Sequence, residues 1–347
     1  MQTHRRAGEL VSGKRPSYEI GQCVVCGRGD AAVLGEADDF RMELEALWEY
    51  HAPRLQPNTP PARLADRLAF SEPPPLRLVR CLSCGLVYRN PAERAAAVTD
   101  LYARTAPASD GLAVLHASQL PTARAQARRI RRLLGRGGSG LEVGSYVGAF
   151  LVAANEAGLS FEGLDVNCAI NAFARRLGVR VHDGELRDLA RGAPLDVLAI
   201  WNTFDQLSDP RGVAFDAWRR LRPSGLLALR VPNGDFYTAL HRHLRHGGRV
   251  VRSVARALLA QNNLLAFPYR WGFTVRSIRR LLADVGFVDV RIRGDALVRT
   301  ADEWTLPWAR WEERAVKRAM SAVASAHPAW APWLEVFATR DPAALTA

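Results

Sequence analysis

From residue 140 onward, apolar and polar positions come in alternating blocks. Short apolar runs occupy 140–143, 161–164, 179–182, 196–201 and 226–231. Continuous apolar runs of this length predict strands buried on both faces of a parallel sheet. Stretches with helical spacing fill 149–157, 168–177, 213–222 and, later, 275–285. Gly158, Gly178 and Gly286 stand just past three of these stretches, where a helix end calls for left-handed backbone. Pro223-Ser224-Gly225 predicts the turn before the fifth strand. Strands alternating with helices in this way predict an α/β fold with right-handed crossovers.

The rhythm breaks after the fifth strand. Residues 234–268 carry a basic helical stretch, Val288 to Arg293 is strand-like, and 302–331 is helical and rich in Trp. Trp333 to Arg340 alternates again and predicts a last strand returning to the sheet. On the N-terminal side, Leu76 to Arg80 reads as a strand, Leu86 to Tyr88 as another, and Asn90-Pro91 as its end. Helical segments are expected from about 92 to 135, the last capped by Thr122, with Ala123, Ala127, Ile130 and Leu134 on one face and Gly135 as its stop. The organisation expected is a small N-terminal region at 1–100, linking helices at 101–135, and an α/β domain at 136–347 with helical insertions at about 234–268 and 302–331.

Composition narrows the class. The chain has 347 residues, 48% of them hydrophobic, enough for a sizeable core. No apolar run approaches the roughly 20 residues of a membrane span, and the first 16 residues carry no apolar signal core, so a cytoplasmic protein is expected. The net charge of +12 invites a nucleic-acid reading. Against it, Lys14 and Lys317 are the only lysines, 45 of the 47 basic residues are Arg, and these are spread along the chain. The densest stretch, 241–256, reads as a solvated helix face, as a site for an anionic acceptor, or as a membrane-surface contact.

Four of the five cysteines form two C-x-x-C-G units, Cys23/Cys26 and Cys81/Cys84. Each such turn points two thiolates at one point, and two turns supply the tetrahedral sulfur set that suits Zn²⁺. The 54 residues between the units predict an insertion over 30–75, with a helix from Asp39 to Tyr50 and a Pro-rich run at 57–75. Disulfides or unrelated free thiols are the competing readings, and a reducing cytoplasm disfavours the first. A closed four-cysteine site leaves no open position for zinc catalysis. Cys168, at a helix start, reads as a small core residue.

The candidate chemistry sits at strand ends. Leu141-Glu142-Val143-Gly144-Ser145-Tyr146-Val147-Gly148 is an apolar run closed by an acid and followed by two glycines before a helix. Such a turn lets the backbone approach a ligand, with free helix N–H groups behind it. Tyr146 stands where a dinucleotide-binding G-x-G-x-x-G would need Gly. Asp165, 21 positions after Gly144, closes the second strand and is placed either to accept bonds from both hydroxyls of a ribose or to serve as a helix cap. His182-Asp183-Gly184-Glu185 follows the third strand, and Asn202-Thr203-Phe204-Asp205-Gln206 follows the fourth.

The succession LEVGSYVGAFL, EGLDVN, HDGELRDL, WNTFDQLSDP, WRRLRPSGLLALRVPN and YRWGFTVRSIRRLLADVGF resembles the motif order of class I S-adenosylmethionine (SAM)-dependent methyltransferases. With the RC-x-x-CGLVY knuckle before it, the chain is similar to bacterial zinc-binding methyltransferases, among them C-methyltransferases of nucleotide-linked deoxysugars. The resemblance covers roughly 20–28 and 76–340. It implies a Rossmann-like seven-stranded methyltransferase sheet with a small zinc-binding region. It also implies SAM as cofactor, structural zinc, and a small-molecule or glycan-type acceptor in bacterial secondary or cell-surface metabolism. Glu142, Gly144 and Gly148 would surround the methionine moiety, Asp165 the ribose, and Asp183-Gly184 the adenine, with Ser145, Tyr146, Val166 and Asn202 completing the cofactor set. The fourth motif departs from the W-H-x-x-E-H of such enzymes: Asn202 replaces the first His, and Asp205-Gln206 replaces Glu-His. Candidate bases are Asp205, Tyr269 and His182, in falling order. An RNA methyltransferase and a non-catalytic protein that keeps the fold are the alternatives.

Overall fold

The computed structural model describes residues 18–59, 77–104, 109–190, 192–265, 270–296 and 304–342. In chain order the described elements begin with β1 (Tyr18–Glu19), β2 (Ala31–Gly35), α1 (Ala37–His51), β3 (Arg77–Cys81), β4 (Val87–Asn90), β5 (Ala92–Glu93), α2 (Ala95–Arg104) and α3 (Ser109–Leu134). The α/β part follows with β6 (Ser139–Val143), α4 (Ala149–Glu156), β7 (Ser160–Asp165), α5 (Cys168–Arg176), β8 (Val181–Asp183), β9 (Leu195–Trp201), α6 (Pro210–Arg220) and β10 (Leu221–Pro232). Then come α7 (Gly234–His246), α8 (Arg249–Gln261), β11 (Trp271–Gly272), α9 (Val275–Val285), β12 (Phe287–Asp295), α10 (Pro307–Ala326) and β13 (Trp333–Arg340).

The main sheet has seven strands in the order β12-β13-β10-β9-β6-β7-β8. β10, β9, β6, β7 and β8 run parallel, whereas β13 is antiparallel to both β10 and β12. This is a Rossmann-like sheet of the seven-stranded kind that the resemblance implies. The order reverses between β6 and β9, so the carboxyl ends of these two strands flank a crevice where open α/β sheets bind ligands. The apolar runs form the strands because both faces are covered. α4, α5 and α3 pack on one face through residues such as Ala127, Ile130, Phe150 and Phe173. α6 and α9 pack on the other through Ala214, Ala217, Ile278 and Leu281.

Helix signals work locally. Asn167 caps α5 by accepting from the Ile170 N–H at 3.1 Å, and Asp209 caps α6 from Gly212 at 2.9 Å. Thr274 and Ser277 form a reciprocal capping box on α9, which Gly286 ends at φ 104°. One start differs from expectation. α3 does not begin at Thr122 but continues through Pro121 back to Ser109. Pro costs one helical bond, while the buried face of Leu112, Ala123, Ala127 and Ile130 continues across it. Cys168 is exposed at the outer side of the first turn of α5, not in the core.

The N-terminal region does not stand apart from the sheet. β11 pairs with β4 in a four-stranded sheet ordered β11-β4-β3-β2. Cys23, Val25, Cys81, Cys84, Leu86 and Tyr88 share one apolar cluster with Ile278 and Leu281 of α9. The basic stretch is a helix pair, α7 and α8, broken at Gly247-Gly248. Part of its charge is answered by α1: Arg245 meets Asp39 at 3.1 Å and Arg256 meets Glu49 at 2.8 Å, while buried His241 meets buried Glu43 at 2.6 Å. The helix between the two cysteine units and the helices after β10 thus hold each other. The Pro-rich run falls mostly in 60–76, outside the described residues. No described helix is long and apolar enough to cross a membrane.

Candidate functional site

β6 delivers Glu142 to the sheet's carboxyl edge, where the chain turns at Gly144. Gly144 has φ +74°, and a Cβ there would come within 2.3 Å of Thr203 Oγ1 in the loop after β9. Only glycine permits both this backbone and this approach. Gly148, at φ +69°, opens α4, and its N–H donates to the Ser145 carbonyl. The turn is fastened to the next strand. The N–H groups of Gly144 and Ser145 donate to the Leu164 carbonyl, and the Tyr146 N–H donates to Asp165 Oδ2 at 3.0 Å. Asp165 Oδ1 accepts from the Asn167 N–H at 3.0 Å. Each carboxylate oxygen keeps lone-pair capacity for a further donor.

Two carboxyls here are driven toward their neutral forms. Glu142 is buried, its Oε2 has no partner, and burial, reinforced by Asp165, pushes its pKa well above the usual carboxylate range. Burial also raises Asp165, against the pull of its backbone bonds. The buried Ser145 hydroxyl is likewise unpartnered. A buried acid and hydroxyl with unmet hydrogen bonds beside a glycine turn are what a polar ligand would satisfy. Val166 is half-buried just past Asp165.

At the end of β8, Asp183 is exposed and tied to α5: Oδ1 accepts from Asn171 at 2.7 Å and Oδ2 from Arg175 at 2.8 Å. These bonds, Asn171 first, lower its pKa. The Gly184 N–H donates to the Asp165 carbonyl, which brings this loop beside the ribose candidate. His182 turns to Glu162, with Nε2 2.7 Å from Oε2. β8 is three strand spacings from β9, about 14 Å, so His182 and Asp205 stand at opposite ends of the crevice. α2 crosses above these strand ends: Asn167 donates to the Tyr102 carbonyl at 2.9 Å, and Thr99 donates to Glu185 at 2.9 Å.

On the β9 side, Asn202 is exposed with φ +57°. Its Oδ1 accepts from Arg230 Nη1 at 2.9 Å, so its NH₂ group is turned away from the guanidinium. Arg230, buried in β10, bonds Asp295 at 2.6 Å and lies over the Trp333 ring. Asp205 is almost fully buried, both its oxygens lack partners, and burial pushes its pKa up to about 8. Tyr269 lies outside the described residues. Arg230 and Asp295 were not singled out from the sequence, whereas Arg270 falls in the run YRWGF (269–273), which with the loop 234–268 was expected to wall the acceptor pocket. A lone Arg in an apolar strand run was the available signal for Arg230; nothing local marks Asp295.

The four cysteines converge. Cys23 Sγ is 3.4 Å from Cys84 Sγ, Cys26 Sγ is 3.5 Å from Cys81 Sγ, and all four sulfurs lie within 4.8 Å of one another. Tetrahedral Zn–S bonds of about 2.3 Å require sulfurs about 3.8 Å apart, so the set fits such an ion. The cysteines form no disulfide.

A family model described as a methyltransferase domain matches residues 116–292, just over half of the chain. Among curated proteins no match was found. Among solved structures, a SAM-dependent methyltransferase from Thermotoga maritima is similar at 14% identity and TM-score 0.41, over 63% of this chain and 89% of the other. One from Archaeoglobus fulgidus is similar at 16% and 0.41, over 63% and 94%. A SAM-bound amino pentose methyltransferase of calicheamicin biosynthesis from Micromonospora echinaspora shares 28% identity at TM-score 0.29, over 32% of this chain and 49% of that one.

Proposed function

The chain belongs to the methyltransferase-domain family and is a methyltransferase; from that premise we propose that it uses SAM to methylate a small-molecule or glycan-type acceptor. The observation that carries the SAM assignment is the buried, unpartnered Glu142 beside Gly144, with Asp165 at the next strand end. In this reading Asp165 and Val166 hold the ribose, Asp183-Gly184 border the adenine, and Glu142, Ser145 and the Gly144–Gly148 turn, Tyr146 included, hold the amino-acid tail. Bound SAM supplies an electrophilic methyl group on a sulfonium.

The protein's part is alignment and exclusion of water. Asn202 presents N–H donors over the rim because Arg230 holds its carbonyl. Asp205 is our candidate base. A carboxylate raised to about 8 is matched to proton abstraction near neutral pH. SAM bound there would offer its methyl carbon to the acceptor's lone pair and keep the C–S electrons on sulfur, and Asp205 would receive the acceptor's proton. His182, committed to Glu162, and Tyr269 are the weaker candidates. We assign zinc a structural role at Cys23, Cys26, Cys81 and Cys84. The ion pairs that α1 makes with α7 and α8 favour a structural use of the basic stretch over RNA binding. Incubation with methyl-tritiated SAM and fractionated bacterial extract tests the reading. Label should enter the small-molecule or glycan-precursor fraction; label entering RNA alone would replace this reading with the RNA one.

A further inference from the structure

Among the described residues, Arg270 is a buried cation without a salt-bridge partner. It is 5% exposed, and its Nε and Nη1 have no hydrogen-bond partner among them. The two carboxylates whose charge it feels, Glu93 and Glu19, are engaged elsewhere, with Arg89 at 3.7 Å and Arg94 at 4.0 Å. Burial lowers its pKa. An unpaired buried guanidinium is costly to stability and is retained where a ligand completes it.

Its surroundings indicate where that ligand sits. The next residue, Trp271, is fastened to the loop after β9: its backbone N–H donates to the Asp205 carbonyl at 3.0 Å and its indole N–H to the Leu207 carbonyl at 2.7 Å. On the other side Arg270 is within electrostatic reach of Tyr102 in α2, the helix anchored beside Asp165. Arg270 is thus joined through Trp271 to the loop carrying Asn202 and Asp205, and its guanidinium lies within electrostatic reach of β1, β5 and the helix that crosses the strand ends. Arginine's planar fork suits a carboxylate or phosphate. The basic stretch 241–256, by contrast, spends Arg245, Arg256 and His241 on α1.

We propose that Arg270 binds an anionic group, carboxylate or phosphate, of the methyl acceptor, and so sets the acceptor class. This inference rests on the methyltransferase reading of the same crevice.

The test is calorimetric titration of inorganic phosphate, and separately of acetate, into protein saturated with S-adenosylhomocysteine, at constant ionic strength. Saturable binding of at least one anion is expected; phosphate alone marks a phosphorylated acceptor, and acetate alone a carboxylate. Arg270→Met should weaken that anion at least tenfold, leave S-adenosylhomocysteine affinity within threefold, and raise Tm in anion-free buffer, because an unpaired buried charge is gone. A merely structural arginine would lower Tm instead. Should the Met variant fail to fold, Arg270→Gln carries the same comparison. Absence of binding by both anions overturns the proposal, as does undiminished binding in the variant. A tenfold loss of S-adenosylhomocysteine affinity also overturns it, since the guanidinium would then serve the cofactor's own carboxylate. If S-adenosylhomocysteine does not bind wild-type protein, the methyltransferase reading is what fails. The same titrations without it then decide whether Arg270 binds anions at all.

Discussion

Asp205 keeps a proton that an exposed aspartate would have lost. Its folded pKa of about 8 lies above the unfolded value of about 3.9. Between these values the folded chain binds more protons than the unfolded one, so this group's contribution to stability falls as pH rises. Thermal unfolding of Asp205→Asn should lack that slope and show a higher Tm than wild type at pH 8, by an amount that shrinks toward pH 5. An unchanged slope would mean the carboxyl is solvated. If Asp205 is the base, wild-type kcat rises as pH passes 8, and Asp205→Asn lowers it by about 10²–10⁴. Glu142 is tested by binding: Glu142→Gln keeps its shape and folds, but should lose at least about tenfold in affinity for S-adenosylhomocysteine. Asp205 was named from the sequence as a residue past a strand end, but its isolation was not legible. Burial without partners depends on side chains that arrive from distant segments.

At the level of elements, the Gly144 turn is the least replaceable piece. Gly144→Ala combines positive φ with a Cβ only 2.3 Å from Thr203. It should cost about 2–3 kcal/mol of stability and abolish detectable cofactor binding by calorimetry; near-wild-type binding would show that the turn has room to move. The sheet was readable because buried parallel strands are apolar runs bounded by turn residues. β13 spans Trp333 to Arg340 as expected. α9 was legible from its periodicity and from Gly286. α3 was misread at Thr122 because a Pro followed by a cap residue looks like a helix start, and only packing against α4 carries the helix through. The basic stretch was ambiguous for a similar reason. Asp39, Glu43 and Glu49 lie some 200 positions away in sequence, and no local pattern says that they meet it.

Across the whole molecule, the four-cysteine region and the main sheet share one apolar cluster. Chelation should therefore do more than loosen the N-terminus. Dialysis against a strong chelator should remove about one zinc per chain and lower the Tm of the main calorimetric transition, with no separate early transition. A metal-free protein that unfolds at the wild-type temperature would refute the structural role. The fold class and the cysteine set were legible because glycine turns and C-x-x-C spacing are local chemistry. The joining of the two halves through β11 and β4 was not. The account stands or falls with the crevice at the ends of β6, β7 and β9. Calorimetric titration of S-adenosylhomocysteine into wild-type protein and Asp165→Ala measures it most directly. We predict one site per chain in wild type and at least about tenfold weaker binding in the variant. Equal binding by the two proteins, or none by wild type, would contradict the account.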